Sequence, residues 1–236
     1  MEQKTVMITG ANRGLGAALA KSAHDRGFYV LGTARSASAL NGQHVDEALE
    51  LDLSDQASIA SLGTQLVKKG LPIDLLINNA GFNPKDRKDD PNYFQSTFSI
   101  EHFDAENVAD ALWINALAPM TLVSKLLPIL AQDVAVLNVS SWLGSIGAKS
   151  IGGHYGYAGS KALLNMFTRS LALEFADTGR VAVALNPGWM KTDMGGGNAE
   201  RSPYDVAEAV LALFVDGLLA SKNGQFLDID GGEHAW

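Results

Sequence analysis

The chain has 236 residues, 47% of them apolar and 19% charged, with a formal net charge of −8 and no cysteine. Its length lies near the upper limit of one hydrophobic core, so a single domain over 1–236 is expected. The acidic balance leaves no basic surface for nucleic acid or an anionic membrane, and the missing cysteines exclude disulfides, thiol nucleophiles and thiolate metal sites.

Short apolar runs alternate with helical patterns along the chain. TVMITG (5–10) reads as a buried strand ending in glycine, and AALAKSAHDRG (17–27) as an amphipathic helix with a glycine stop. FYVLGTAR (28–35) and EALELDLSD (47–55) read as the second and third strands, followed by a helix over 55–70 and a fourth strand, DLLINNAG (74–81). A helix near 104–130 precedes a strand at VAVLNVSS (134–141), and a helix over 156–176 precedes the strand RVAVALNPG (180–188). A helix at 204–219 and a strand at QFLDID (225–230) complete the pattern. Apolar strands alternating with helices predict a Rossmann-type, doubly wound α/β fold. It should have a parallel seven-stranded sheet covered on both faces, in three α/β/α layers. Two polar stretches, 82–100 and 193–203, are expected to be loops at the ligand crevice.

The five histidines, His24, His44, His102, His154 and His234, show no ligand spacing, so no metal site is expected. The lead MEQKTVMITG lacks a basic segment followed by a long apolar core, and the apolar stretch 111–139 is broken by Lys125 and Asp133. A soluble, cytoplasmic protein is the expectation.

TGANRGLG (9–16) lies between the first strand and the first helix. Gly10 permits a tight turn, Gly14 lets backbone approach a pyrophosphate, and Gly16 allows close helix–sheet packing. The free N–H groups and dipole of the helix start then face an anion. Its spacing, G-x-x-x-G-x-G, resembles the short-chain dehydrogenase/reductase family, as do NNAG (78–81) and LDLSD (51–55). The resemblance implies dinucleotide contacts from Asn12, Leu15, Leu53, Asn79, Ala80 and Gly81. It also implies an adenine contact from Asp52, for which an equal alternative is a helix N-cap. No acidic residue occurs between Gly27 and Val45 to hold a ribose 2′-hydroxyl, whereas Arg35 ends the second strand and Arg13 lies in the glycine loop. Two guanidiniums near the 2′ position select a phosphate, and hence NADP(H) over NAD(H).

HYGYAGSK (154–161) contains two tyrosines and a lysine. Residues four apart on a helix share a face, so Tyr157 meets Lys161, whereas Tyr155, six residues away, faces elsewhere. A nearby ammonium favours the phenolate and brings tyrosine into a useful range for proton transfer. Within the family resemblance, Ser141 of AVLNVSSWLG (135–144) would bond the substrate oxygen and Ser140 would be structural. Asn115 of LWINALAP (112–119) would sit in a bent helix and support a relay water, completing a catalytic tetrad of Asn115, Ser141, Tyr157 and Lys161. Lys161 would also hold the nicotinamide ribose, with Tyr157 beside it. NPGWMKT (186–192) matches the family's proline–glycine motif, which implies that Pro187 and Gly188 shape the turn at the nicotinamide and Thr192 bonds its carboxamide.

Ser141 and Tyr157 stand sixteen residues apart, about three more than in many members of the family. The longer segment, with NPGWMKTDMGG and the ending GQFLDIDGGEHAW, resembles the branch of C-factor-like proteins and sniffer-type carbonyl reductases. Loops at about 82–100, 142–156 and 189–203 are expected to meet the substrate, with Trp142, His154 and Trp189 as candidate pocket walls. The resemblance implies an NADPH-dependent oxidoreductase acting on a small carbonyl or alcohol, as a possible homodimer or homotetramer. An NADP(H)-binding signalling or redox-sensor protein of the C-factor type, with weak or no turnover, is the alternative.

Overall fold

Seven parallel strands run β1 (Thr5–Ile8), β2 (Tyr29–Ala34), β3 (Glu47–Glu50), β4 (Ile73–Asn78), β5 (Leu130–Val139), β6 (Val181–Asn186) and β7 (Phe226–Asp228) in the computed structural model, which describes residues 3–87 and 90–236. Their order across the sheet is β3-β2-β1-β4-β5-β6-β7. The chain therefore winds outward from β1 in one direction, then returns to add β4 on the other side. That reversal places the loops after β1 and β4 side by side at the carboxyl edge, where doubly wound folds bind ligands.

Alternation along each strand divides the core into two layers. Val6 and Ile8 of β1, with Ile77, Leu137 and Leu185, pack beneath α1 (Gly14–Asp25) and α7 (Pro203–Val215). Met7, Leu31, Leu76 and Val136 point the other way, toward α2 (Gln56–Lys69), α5 (Ala118–Leu126) and α6 (Tyr155–Glu174). Asp55 caps α2 by accepting from the Ala57 N–H, and Gly70 ends it in the left-handed region at φ 69°.

Several sequence expectations are altered. The third strand stops at Glu50, and the stretch 82–100 contains the helix α3 (Pro91–Phe98), begun by Asp90 as N-cap and Pro91 as first residue. The helix expected near 104–130 is α4 (Ala105–Leu112) and α5 joined by a π turn at Trp113–Leu117. Taken together, Ala105–Ile129 is long and apolar enough to cross a membrane by length and composition, despite Lys125. Ala118, Leu122, Val123 and Leu126 from this stretch are buried against the sheet. The histidine spacing also conceals a surface cluster: His24, Asp25 and His44 bring ligand atoms within 4.8 Å of one another. All three are exposed, and the Asp25 carboxylate is held by Lys21 at 2.6 Å.

Candidate active site

The glycine loop leaves β1 through Gly10, whose φ of 68° suits glycine, and enters α1 at Gly14. Thr9 ties this turn to the strand beside it: its Oγ1 accepts from the N–H groups of Asn79 and Ala80, each at 3.0 Å. The Asn79 side chain donates to the carbonyls of Thr9 and Gly10. Gly16 is required by packing, since a Cβ there would lie 2.0 Å from the Gly10 oxygen. The N-cap position of α1 is Arg13, which supplies no side-chain cap, whereas α2, α3, α4 and α7 are all capped by Asp or Ser. No side chain caps the start of α1 among the described residues, as is also true of α6, and a glycine turn with such a start fits a pyrophosphate.

Both arginines lie at this end. Arg35 is exposed just beyond β2, and Arg13 is exposed in an ion pair with Asp193 at 2.8 Å. The pair brings the segment after β6 across to the glycine loop, where a Cβ on Gly14 would lie 3.4 Å from Thr192 Cγ2. Thr192 Oγ1 accepts from the Gly195 N–H. Asp52 is not the N-cap of α2, a place taken by Asp55; its Oδ1 accepts from the N–H and hydroxyl of Ser54. Leu53 is buried, and its carbonyl accepts from the Trp113 indole.

At the other end, α6 carries Tyr157 and Lys161 on one face, with the lysine Nζ 5.8 Å from the phenol ring centroid. Lys161 is only 4% exposed, and Nζ donates to the Val139 carbonyl at 2.7 Å. Burial pulls its pKa down from 10.5 to about 8. Ser141 begins a short turn after β5 and accepts from the Leu143 N–H, while Ser140 is buried and donates to Asn165 at 2.6 Å. Asn115 lies within the π turn, fully committed: Oδ1 accepts from the Phe82 N–H, and Nδ2 donates to the Phe82 carbonyl and to Ser160 Oγ. Ser160 in turn donates to the Tyr157 carbonyl at 2.7 Å. A Cβ on Gly81 would lie 3.5 Å from Asn115 Oδ1 and 3.7 Å from Lys161 Nζ, so the three converge.

The proposed pocket walls separate. Trp142 and Trp189 are both exposed beside this edge, and the Trp189 indole donates to the Gly195 carbonyl. His154 sits elsewhere. It adopts φ 60°, its ring packs on Phe98 at 4.6 Å, and it lines a recess of about 320 Å³ beneath the loop 143–153. Tyr155, Ala158 and Ala162 line the same recess, which therefore opens on a different face of α6 from Tyr157. Pro187 is buried after β6, and Gly188 has φ 74° with the Arg201 side chain packed across it. The sequence reading missed Arg201, and it also missed Asn186, whose side chain organises the turn. Only the N-P-G motif hinted at the latter.

Comparison with known proteins places these features in a family. A family model described as short chain dehydrogenase matches residues 4–202. The chain is 37% identical over 167 residues to C-signal of Myxococcus xanthus, covering 70% of this chain and 93% of that protein. Its fold superposes on the carbonyl reductase Sniffer of D. melanogaster with a TM-score of 0.86 at 29% identity, covering all of both chains. NADPH-bound carbonyl reductase from chicken fatty liver gives a TM-score of 0.83 at 27% identity, again over the full length of both. With its glycine turn, seven-stranded sheet and family match over most of its length, the chain belongs to the short-chain dehydrogenase/reductase family of nicotinamide-dependent oxidoreductases.

Proposed function

We propose that the protein is an NADPH-dependent carbonyl reductase, interconverting a small ketone or aldehyde and its alcohol. The observation that carries this reading is Lys161, buried under the Tyr157 ring at the carboxyl edge of β5. A buried ammonium with no carboxylate partner among the described residues is costly, and its use here is to stabilise the phenolate that forms when Tyr157 gives up its proton.

When bound, the reduced nicotinamide supplies the hydride that goes to the carbonyl carbon. The chain's own residues manage the oxygen. Tyr157 donates its hydroxyl proton to the carbonyl oxygen, and Ser141 Oγ orients and polarises that oxygen by donating a hydrogen bond. Lys161 stabilises the phenolate left behind. Asn115 fixes the Phe82 backbone and, through Ser160, the helix turn that bears Tyr157. By family resemblance, a water held near the π turn that carries Asn115 would return a proton to Tyr157. Gly10, Gly14 and the uncapped start of α1 would receive the pyrophosphate, and Arg35 with Arg13 the 2′-phosphate. Arg13 would have to be shared with Asp193.

The test is titration with NADPH and NADH, followed by absorbance assays on a panel of aldehydes, ketones and quinones. Tyr157→Phe should abolish turnover while retaining NADPH binding; undiminished turnover would refute the proton-transfer role. Arg35→Asp should reverse the cofactor preference. Cofactor binding without turnover on any carbonyl would return the chain to the signalling alternative.

A further inference from the structure

A polar relay runs from residues 228–236 to the loop that follows the proposed catalytic serine and to the turn after β6. Asn186 of β6 and Asp228 of β7 are register partners on neighbouring strands, and the Asn186 Nδ2 donates to Asp228 Oδ1 at 2.7 Å. The other end of the Asn186 amide faces the site. Its Oδ1 accepts from the N–H of Trp142 at 3.1 Å and from the N–H of Gly188 at 3.2 Å. Trp142 follows Ser141 directly, and Gly188 belongs to the turn after β6. One side-chain oxygen thus joins the serine loop to that turn.

An asparagine amide has a donor end and an acceptor end of nearly equal shape, so something must decide which faces which way. Asp228 makes that decision together with the two backbone donors. Its carboxylate only accepts, so it draws the Nδ2 end and leaves Oδ1 for two backbone donors that a rotated amide would meet with its own N–H groups. Asp228 is held in turn by His234, whose Nδ1 lies 3.2 Å from Oδ2. The His234 ring packs on Phe226 at 4.7 Å, and its Nε2 is buried with no hydrogen-bond partner among the described residues. An unpaired buried nitrogen costs free energy, and here its orientation serves the Asp228 contact. The same segment grips the loop beyond the serine: the Trp236 carbonyl accepts from the Gly147 N–H at 2.7 Å and from Ser145 Oγ at 3.2 Å.

From this arrangement we infer that Asp228, oriented by His234, is a positioning residue for the reaction. It acts through Asn186 to fix Ser141 relative to the nicotinamide turn at Gly188. The inference rests on the reductase reading above.

The experiment measures kcat, KM and NADPH affinity for the wild type, Asp228→Ala and Asp228→Asn, with thermal midpoints for each. Asp228→Ala should lower kcat about tenfold, because small displacements of a reacting group are costly, while NADPH affinity stays within about twofold. Asp228→Asn should recover most of kcat, since its Oδ1 can still accept from Asn186. If Asp228→Ala does not fold, Asp228→Leu replaces it; its side chain has no polar atom to accept from Asn186 and should show the same loss. A folded Asp228→Ala or Asp228→Leu with wild-type kcat, or an Asp228→Asn as impaired as either, would overturn the inference while leaving the reductase reading intact. A wild type that turns over no carbonyl would overturn both.

Discussion

Replacing Lys161 by methionine separates what the lysine costs the fold from what it supplies to the site. Lys161 is 4% exposed, and burial alone depresses its pKa from 10.5 to about 8. Between those two values the folded state binds fewer protons than the unfolded chain, so stability rises with pH across that window. The penalty is fully present below about pH 8 and has gone by about pH 10.5. At roughly 1.4 kcal/mol per unit, it amounts to about 3 kcal/mol at pH 7. Methionine removes the penalty and fills similar volume, but it leaves the Val139 carbonyl without its 2.7 Å donor. That loss costs about 1–2 kcal/mol at any pH. Lys161→Met should therefore be more stable than wild type by about 1–2 kcal/mol at pH 7 and less stable by a similar amount at pH 10.5, crossing over between about pH 9 and 10. Urea unfolding of both proteins at pH 7, 8, 9 and 10, at constant ionic strength and without cofactor, reads the difference. A variant destabilised equally at every pH would show that Lys161 is not held against a desolvation penalty. The same substitution should abolish carbonyl turnover, so a gain in stability would come with a loss of activity.

Two further substitutions test other parts of the fold. Gly16→Ala places a Cβ 2.0 Å from the Gly10 oxygen and 2.6 Å from Asn79 Nδ2, so the glycine turn must shift. It should cost about 3 kcal/mol and lower the thermal midpoint by roughly 6–12 °C, and a shift below about 2 °C in a thermal melt would contradict the close packing. Glu208 accepts from Arg26 at 2.8 Å and from Ser22 at 2.6 Å, and chiefly through Arg26 its pKa falls from 4.5 to about 2. Its stabilisation is present above pH 4.5 and is lost as pH falls toward 2. The ion pair is partly solvent-screened, so Glu208→Gln should cost only about 1 kcal/mol at pH 7. That difference should shrink in urea melts carried down to pH 3.5, and one that grew on acidification would refute the assignment.

Much of the fold is legible because it is written in local patterns. Buried parallel strands need no polar face, so TVMITG and DLLINNAG stand out as continuous apolar runs, and the glycines mark where they turn. The pairing of Tyr157 with Lys161 is legible for the same reason, since four residues is one helical turn. The helix α3 was harder to read because its sequence is polar and aromatic, yet its Asp90–Pro91 start was a usable signal. The π turn at Asn115 left only the weak mark of an asparagine inside an apolar helix. The placement of His154 depended on the aromatic ring of Phe98, on an element the sequence had presented as a loop.

What remained hidden is set by pairings between strand ends that are distant in sequence. Lys161 is anchored to Val139 at the end of β5, and Asn115 to Phe82 beyond β4. Thr9 after β1 meets Asn79 after β4, and Asn186 at the end of β6 meets Asp228 of β7. Behind them, Asn78 donates to Asn138 and Asn138 to Thr168, a buried polar row joining β4, β5 and α6. Each of these bonds is intelligible only when the strand order is known, because adjacency of β1 to β4 is a property of the crossover and not of either strand. A buried polar side chain must find a partner, so each such asparagine or threonine implies a bond somewhere, though the sequence does not say with what. The sheet order supplies the missing information, and it concentrates those bonds at one edge. The proposed catalytic side chains there are held by ordinary fold-building contacts rather than by a separate framework of their own.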